Sequence, residues 1–462
     1  MQGTIAAIST PPGKGGVAII RMSGAEALEI LGRVFEPMSG RAVDTLPARV
    51  QTYGYIIYNK ERIDDGLATV FPAPHSYTGE CVVEISCHGG VLVTSRVLEA
   101  LFAAGARPAT AGEFTRRAYI NGRLTLTDAE AIGSLLDARS DEQIRLSAAP
   151  ARDLLRKRIE GIRGELVSLL GSIYARIDYP EEDLGEFSDE QIVDALKGIR
   201  TELSGLIATY RTGRAISEGI RAVICGKPNV GKSTLYNLLV GEDAAIVTDI
   251  PGTTRDLLER SVPLGRVMLH LTDTAGIRHG EGTDDVERIG IERSVSRITC
   301  AELIIATFDL SRPFDGEDED VLSAVVAAQG AKICILNKAD SATGEFDRTL
   351  VEGLFDEVIE CSALEEEAEV IHRLEKAVDR LFTDERISVS TDAVVASARQ
   401  HSALSRAMAL VDAALSAFEA GMPVDAASSD VELALGAIGE LDGRSVSESV
   451  TSDIFSRFCV GK

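Results

Sequence analysis

The stretch "GKPNVGKST" (Gly226–Thr234) has the residue types and the spacing of a loop that binds nucleotide phosphates. It follows the apolar run "RAVIC" and precedes the helical pattern "TLYNLLV", which is the strand–loop–helix context that such a loop requires. Backbone N–H groups at the start of that helix would face the phosphates. Lys232 would place positive charge on the β and γ phosphates, and the Ser233 hydroxyl would ligate magnesium.

Two later segments supply the other groups that cleavage of a nucleoside triphosphate needs. Asp273 ends the apolar run "VMLHLTD" and suits a carboxylate that holds magnesium through water, while the N–H of Gly276 can meet the γ-phosphate. The segment "TDIPGTTRD" (Thr248–Asp256) is rich in hydroxyls and helix breakers. This composition favours a switch loop that orders around magnesium, with Thr254 as the second hydroxyl ligand.

The segments "NKAD" and "CSAL" predict that the base is guanine. Asp340 can accept two hydrogen bonds from N1–H and the N2 amine of guanine, and adenine has no such pair of donors. The backbone N–H of Ala363 could meet the guanine O6. The nucleotide is therefore predicted to be GTP. The predicted contacts to GTP are Asn229, Val230, Gly231, Lys232, Ser233, Thr234, Thr248, Asp249, Ile250, Pro251, Gly252, Thr253, Thr254, Asp273, Thr274, Ala275, Gly276, Asn337, Lys338, Asp340, Ser362 and Ala363.

The elements that must position these residues follow from hydrophobic periodicity. Short apolar runs broken by Gly and Pro predict a mixed α/β region at the start of the chain, and strands alternating with helices predict a mainly parallel sheet around the nucleotide motifs. Two helical stripes precede that sheet region, one with Leu155, Ile159, Ile162, Leu166, Leu169 and Ile173, and another with Ile192, Leu196, Ile199, Leu203 and Leu206. "SDEQ" (Ser140–Gln143) predicts a capping box.

The predicted fold class is multidomain, with α/β and all-α parts. A Ras-like α/β domain with a mainly parallel sheet is inserted into a helical domain formed from two chain segments. The predicted boundaries are 1–120 for an N-terminal α/β domain, 121–215 for the first helical part, 216–385 for the inserted domain and 386–462 for the second helical part.

Composition limits the class of protein. A chain of 462 residues is expected to form two to four domains, and 45% hydrophobic with 26% charged residues is typical of soluble globular proteins. No apolar run is long enough for a membrane span. Seven scattered cysteines favour a reducing, cytoplasmic location. The net charge of −25 argues against non-specific coating of nucleic acid, although a local basic patch such as Arg152–Arg163 stays compatible with it.

The motifs resemble those of the MnmE (TrmE) family of tRNA-modification GTPases. The likeness includes "GKPNVGKST", "TDIPGTTRD", "DTAGIR", "DDVERIGIERS" and "NKAD", and it extends to "TPPGKGGVAIIRMSG", "YTGECVVEISCHGG", "ARPATAGEFTRRAYINGRLTL" and the terminal "FCVGK". It covers essentially the whole chain in order. Many nucleotide switches have a water-orienting glutamine after the "DTAG" glycine, and Ile277 stands there in this chain.

The family resemblance implies how a chain with Ile277 cleaves GTP. Two GTPase domains would meet face to face with potassium bound against the phosphates, in the role that an arginine finger has elsewhere. Glu287 matches the family's carboxylate, which orients the attacking water through a bridging water and is the implied catalytic residue. The implied potassium ligands are Asn229, Thr248, Thr253 and the carbonyl of Ile250.

The resemblance also implies a folate site, partners and a substrate. The first domain resembles the family's folate-binding and dimerisation domain, with contacts to 5,10-methylenetetrahydrofolate or 5-formyltetrahydrofolate from Arg21, Glu84, Arg123 and Lys462. The family often has lysine at the position of Arg123, and the two cations differ in geometry. The implied protein is a homodimer that joins the FAD-binding MnmG in a heterotetramer. It would install an aminomethyl or carboxymethylaminomethyl group at carbon 5 of the wobble uridine of certain tRNAs.

Two alternatives remain at the level of sequence. One is a GTPase switch in RNA or ribosome assembly that carries out no modification chemistry, although the flanking helical regions are acidic rather than basic. The other is a folate-dependent transferase whose GTPase part is vestigial.

Overall fold

The computed structural model describes residues 3–178, 188–241, 259–272, 298–444 and 446–461. The chain divides into two compact units. The first comprises Met1–Leu136 with Glu432–Lys462, and the second comprises Asp137–Val431. The division into four domains, with the boundaries given above, stays a prediction.

The first unit contains a seven-stranded sheet. Its order is β3-β4-β5-β6-β2-β1-β7, and all neighbours are antiparallel except β1 and β7. Alternate buried residues on β2 and β6 contribute to the core beneath the sheet, as expected for strands with one buried face. The strands are β1 (Ile5–Ile8), β2 (Ala18–Ser23), β3 (Phe35–Pro37), β4 (Thr52–Tyr58), β5 (Glu61–Phe71), β6 (Val82–Cys87) and β7 (Arg107–Pro108).

Helices cover this sheet, and one of them packs against the C-terminal segment of the chain. Helices α1 (Ala27–Val34) and α2 (Val91–Ala103) place their buried residues in the sheet's core. Helix α3 (Glu113–Ile120) precedes α4 (Leu126–Asp137). A second cluster unites Leu126 and Ala129 with Phe455 and Phe458 from the C-terminal part of the chain. The C-terminal segment is thus packed into the first unit.

In the second unit, long helices show the periodicity that the sequence predicts. The helices before the sheet are α5 (Asp141–Ser147), α6 (Ala149–Asp178), α7 (Asp189–Ala208) and α8 (Tyr210–Glu218). Both predicted stripes are buried, one along α6 and the other along α7. After the sheet follows α12 (Ala398–Glu419). Helix α13 (Val424–Asp442) passes from the second unit into the first at Glu432, and α14 (Glu448–Ser456) belongs to the first unit. Helix α12 packs against α7, so chain segments on both sides of the sheet form one helical layer.

Within the described part of the second unit, the sheet has the order β13-β12-β11-β8-β10-β9, and only β9 is antiparallel to its neighbour. The predicted mainly parallel sheet is therefore confirmed. Among the described residues, no helix combines the length and the apolarity needed to cross a bilayer. The elements are β8 (Ile220–Cys225), α9 (Lys232–Val240), β9 (Glu259–Leu264), β10 (Val267–Thr272), β11 (Leu303–Asp309), α10 (Gly316–Ala327), β12 (Ala331–Asn337), β13 (Glu357–Glu360) and α11 (Glu367–Phe382).

Candidate functional site

The phosphate loop connects the end of β8 to the first residue of α9. Its backbone turns through left-handed conformations at Gly226 (φ 145°), Asn229 (φ 64°) and Gly231 (φ 105°). A side chain at Gly226 would meet the carbonyl oxygen of Thr307 at 2.4 Å, and one at Gly231 would lie 2.1 Å from Asn337 Nδ2. Both positions therefore need glycine for conformation and for space.

Asn337, at the end of β12, links the three predicted motifs. Its Nδ2 donates to the Val230 carbonyl at 2.8 Å, and its Oδ1 accepts from the Ala363 N–H at 3.0 Å. Asn337, Val230 and Ala363 are all buried. The buried amide thus holds the phosphate loop, "NKAD" and "CSAL" together at the carboxyl edge of the parallel strands, where open α/β sheets bind ligands.

Lys232 and Ser233 occupy the first turn of α9. Lys232 Nζ donates to the Lys227 carbonyl within the phosphate loop at 2.7 Å, and burial lowers the pKa of Lys232. Ser233 is exposed beside it. A hydroxyl oxygen at a helix N-terminus is a hard ligand of the kind that magnesium prefers, so Ser233 fits the predicted metal.

The guanine-recognition residues lie on the loops that follow β12 and β13. Asp340 is exposed, and its Oδ2 accepts from the Ser341 hydroxyl at 2.6 Å. Hydrogen bonds from Ser341 and Ser362 lower the pKa of Asp340, so this carboxylate is ionised at neutral pH, as an acceptor of two guanine hydrogen bonds must be. Ser362 itself is buried next to Ala363.

Asp309, at the end of β11, is a site residue that sequence reasoning did not predict. Its Oδ2 accepts from Lys338 Nζ at 2.7 Å and from Arg312 Nε at 3.0 Å, and only 1% of its side chain is exposed. Burial raises the pKa of Asp309, but hydrogen bonds from Lys338 and Ser311 outweigh it and lower the pKa to about 2. A signal was available, since an aspartate closes the apolar run "ELIIATFDL".

Arg21 and Glu84 form an ion pair across neighbouring strands of the first unit. They are direct partners in the β2–β6 register, and Arg21 Nη2 lies 2.8 Å from Glu84 Oε1. Arg21 Nη1 also donates to the Gly461 carbonyl at 3.5 Å. Tyr77 and Phe114 stand next to the guanidinium, with ring centroids 5.6 and 5.9 Å from its carbon.

The C-terminal segment is held against the same sheet. The Ser9 hydroxyl donates to the Gly461 carbonyl at 3.1 Å, and Val460 forms a bridge with Ala111. A side chain at Gly461 would lie 2.4 Å from the Ile8 carbonyl oxygen, so glycine allows the close approach. The structure therefore brings Gly461, the last described residue, to Arg21.

Arg123 follows α3, and its N–H donates to the Ala118 carbonyl at 2.8 Å. Its side chain lies beside Gly79, where an added Cβ would be 3.3 Å from Arg123 Cγ. Among the described residues, no hydrogen bond or ion pair joins Arg123 to Arg21 or Glu84.

Comparison with known proteins finds relatives over the full length of the chain. The family described as "GTP-binding protein TrmE N-terminus" matches residues 4–123, and the "MnmE helical domain" family matches residues 126–459. The tRNA modification GTPase MnmE of Finegoldia magna is 39% identical over 463 residues, which is 100% of both chains. The protein of that name from Clostridioides difficile strain 630 is 38% identical over 461 residues, 99% of each chain. The chain belongs to the MnmE family.

Solved structures similar to this MnmE-family chain include GTP-binding proteins of other names. Era in complex with MgGDPNP and nucleotides 1506–1542 of 16S ribosomal RNA is 22% identical, covering 41% of this chain and 66% of that chain with a TM-score of 0.27. The G domain of the FeoB iron transporter of Thermotoga maritima is 24% identical, covering 33% and 97% with a TM-score of 0.24.

Several predicted site residues of this MnmE-family chain lie outside the described residues. They include the implied catalytic carboxylate, the "DTAG" segment, the switch loop with three potassium ligands and one magnesium ligand, and the terminal folate contact. These residues are Glu287, Asp273, Thr274, Ala275, Gly276, Thr248, Asp249, Ile250, Pro251, Gly252, Thr253, Thr254 and Lys462. Asn229, the fourth implied potassium ligand, is described and is exposed on the phosphate loop.

Proposed function

We propose that this protein is a potassium-dependent GTPase that, together with the FAD-dependent protein MnmG, modifies carbon 5 of the wobble uridine of certain tRNAs. The group installed would be aminomethyl or carboxymethylaminomethyl. GTP hydrolysis itself follows from membership of the MnmE family. The observation that supports the guanine-nucleotide part of the proposal is the buried Asn337 amide, which joins the phosphate loop to the two guanine-recognition segments.

Different residues of the chain would bind the phosphates, hold magnesium, select the base and orient the attacking water. Lys232, held at the phosphate loop, would place its charge against the β and γ phosphates, and Ser233 would hold magnesium. Asp340 selects guanine because adenine would leave its carboxylate unsatisfied. Glu287 would orient the attacking water, since Ile277 has no group that can do so.

Potassium fits the exposed Asn229 and the hydroxyl and carbonyl groups of Thr248, Thr253 and Ile250, because these are neutral oxygen ligands. When bound, the ion would supply positive charge beside the β and γ phosphates, where negative charge develops during cleavage. Asn229 has a left-handed backbone (φ 64°) and asparagine tolerates this conformation better than most residues. The residue type at this position therefore suits both the loop and the ion.

The Arg21–Glu84 pair supports a tetrahydrofolate site in the first unit. Folates have a pterin ring with N–H donors and an acidic tail, so a carboxylate beside a guanidinium offers complementary partners for both. Tyr77 and Phe114 add aromatic surface next to Arg21. 5,10-Methylenetetrahydrofolate or 5-formyltetrahydrofolate would supply the one-carbon unit. Arg123 and Lys462 complete the proposed set of contacts.

The proposed assembly is a homodimer that joins MnmG in a heterotetramer and acts on tRNA in the cytoplasm. Family membership supports this assembly. Free cysteines among the described residues are consistent with a reducing compartment.

Nucleoside analysis of tRNA tests the proposal. In a strain that lacks the gene, we expect the carbon-5 modification of wobble uridine to disappear, and the wild-type gene to restore it. Arg21→Ala should fail to restore it because the folate site loses its cation. Arg96→Ala is the matched control, since Arg96 is exposed on α2 and its carboxylate partner, Glu99, lies 4.0 Å away. Unchanged wobble uridines in the deletion strain would overturn the proposal and favour an assembly switch.

A further inference from the structure

Lys227, in the phosphate loop, forms two ion pairs with residues at the start of α10. Its Nζ lies 2.6 Å from Asp315 Oδ2 and 2.5 Å from Asp318 Oδ2. The side chains of Lys227 and Asp318 are each 3% exposed. A buried charge is strongly destabilised when it loses its partner, so these side chains are held together. The ammonium therefore fixes the phosphate loop to the N-terminus of α10, the helix that follows β11.

This anchor bears directly on Lys232. Lys232 Nζ donates to the carbonyl of Lys227, so the backbone that Lys227 anchors is also the backbone that holds the phosphate-binding lysine. A second contact supports the loop from the same side, because Arg312 Nη2 donates to the Pro228 carbonyl at 3.4 Å while its Nε donates to the buried Asp309. The segment between β11 and α10 thus contacts two consecutive residues of the phosphate loop.

The ion pairs are not needed to start α10. Asp315 caps this helix on its own, since its Oδ1 accepts from the N–H groups of Glu317 and Asp318 at 3.1 and 3.3 Å. Asp318 Oδ2 completes the capping box by accepting from the Asp315 N–H at 3.3 Å. The helix end is satisfied without a lysine, whereas Lys227 has its side chain buried in a loop that must hold a defined shape to bind phosphates.

We propose that Lys227 is a positioning residue of the GTPase site, which Asp315 and Asp318 hold so that the phosphate loop is preformed for the nucleotide. The inference rests on this chain's GTPase activity and adds a residue outside the predicted site. A preformed loop binds phosphates without the entropic cost of ordering it. Loss of the anchor should therefore weaken binding of the diphosphate and leave the preference for guanine unchanged.

The test measures binding of fluorescent GDP and IDP to the full-length protein. Lys227→Met should weaken the binding of both nucleotides at least tenfold and by the same factor, because they share the diphosphate and differ only in the base. Lys376→Met is the matched control, since it makes the same change at an exposed position on α11 and should leave both dissociation constants within twofold of wild type.

A second variant, which keeps Lys227 and changes one of its partners, tests the inference if Lys227→Met does not fold. Asp315→Asn retains a good N-cap and removes one of the two charges that hold Lys227, and it should weaken GDP binding at least twofold with thermal stability retained. Wild-type GDP binding in a folded Lys227→Met variant, or in Asp315→Asn, would overturn the inference. A selective loss of GDP over IDP would also overturn it, by moving the effect to the base. Absence of potassium stimulation in the wild-type protein would count against the proposed function only.

Discussion

At the scale of single residues, the nucleotide site depends on side chains that satisfy buried backbone groups. Asn337 uses both ends of its amide for this purpose, toward Val230 and Ala363. Asparagine and no shorter residue can do so, because one atom must donate and the other must accept. The glycine at position 231 is the counterpart of this contact, since any side chain there would collide with the amide.

Replacing Asn337 by alanine should weaken both stability and nucleotide binding. The change leaves a buried carbonyl and a buried N–H without partners, at a cost of about 1–3 kcal/mol each. We expect the dissociation constant for GDP to rise by roughly tenfold or more, given about 1.4 kcal/mol per tenfold. Titration with fluorescent GDP and a thermal unfolding scan would measure the two effects. Wild-type values in both would show that the bridge between the loops contributes nothing.

Residue types predicted the phosphate and guanine motifs, but not the ion pairs around them. Lys232 could be assigned from spacing alone, because its partner is the nucleotide that the whole motif implies. Lys227 could not, since Asp315 and Asp318 lie 88 and 91 residues further along the chain. Only the pairing of parallel strands brings such distant residues together, and no local pattern encodes it.

At the scale of elements, one tetrapeptide shows how far local sequence determines structure. "SDEQ" forms the N-terminus of both α5 and α7, with its serine as the N-cap residue. At Ser188 it forms the complete capping box, with the Gln191 side chain accepting from the Ser188 N–H. At Ser140 the serine caps the helix, but Gln143 Oε1 accepts from the Arg139 N–H instead. The Gln143 amide also donates to the Ser217 carbonyl, so the capping box predicted there is only half right, because a tertiary contact competes.

Strand β9 was not predicted, because its place at the edge of the sheet is not visible in the local sequence. "ERSVPL" contains Pro263, which cannot donate a ladder hydrogen bond and argues against a central strand. The structure places β9 at the edge of the sheet, antiparallel to β10, where proline is tolerated. By contrast, both helical stripes were predicted correctly because burial on one helix face repeats over about five turns in α6 and about four turns in α7.

The packing of α7 should contribute more to stability than its surface charges. Leu203 is fully buried on α7, which packs against α12, whereas the Arg200–Asp412 pair between these helices is about half exposed. Leu203→Ala should lower the free energy of unfolding by about 2–4 kcal/mol. Arg200→Ala should cost less than about 1 kcal/mol. Urea unfolding followed by circular dichroism measures both, and equal effects would contradict the view that apolar packing joins the two helical segments.

At the scale of the whole molecule, a buried carboxylate ties the stability of the first unit to pH. Glu113 is 3% exposed and accepts from Arg107, Arg117 and the Thr110 N–H. Burial raises the pKa of Glu113, but these hydrogen bonds outweigh it and lower the pKa from 4.5 to about 2. A carboxyl group with a depressed pKa stabilises the folded state above its unfolded pKa, and this contribution is lost as the pH falls from 4.5 toward 2.

Glu113→Gln should remove this pH dependence. The carboxylate accounts for a change of about 3 kcal/mol across that interval, and the amide does not titrate. Hydrogen–deuterium exchange of α3 at pH 6, 4 and 3 would report the local stability. Protection should fall with acid in the wild-type protein more than in the variant. Glu29→Gln is the control, because its pair with Arg33 is exposed, and an identical acid response in all three proteins would refute the assignment.

The central claim is that this MnmE-family chain cleaves GTP with a potassium ion and Glu287 in place of a glutamine. The most direct measurement is steady-state GTP turnover in potassium and in sodium, for the wild-type protein and for Glu287→Ala, with GTP affinity measured in parallel. We expect potassium to accelerate wild-type turnover at least tenfold, and Glu287→Ala to lose about 100-fold with GTP binding retained, the size of effect that removal of one transition-state contact produces. Equal turnover in the two salts, or wild-type turnover by Glu287→Ala, would contradict the account.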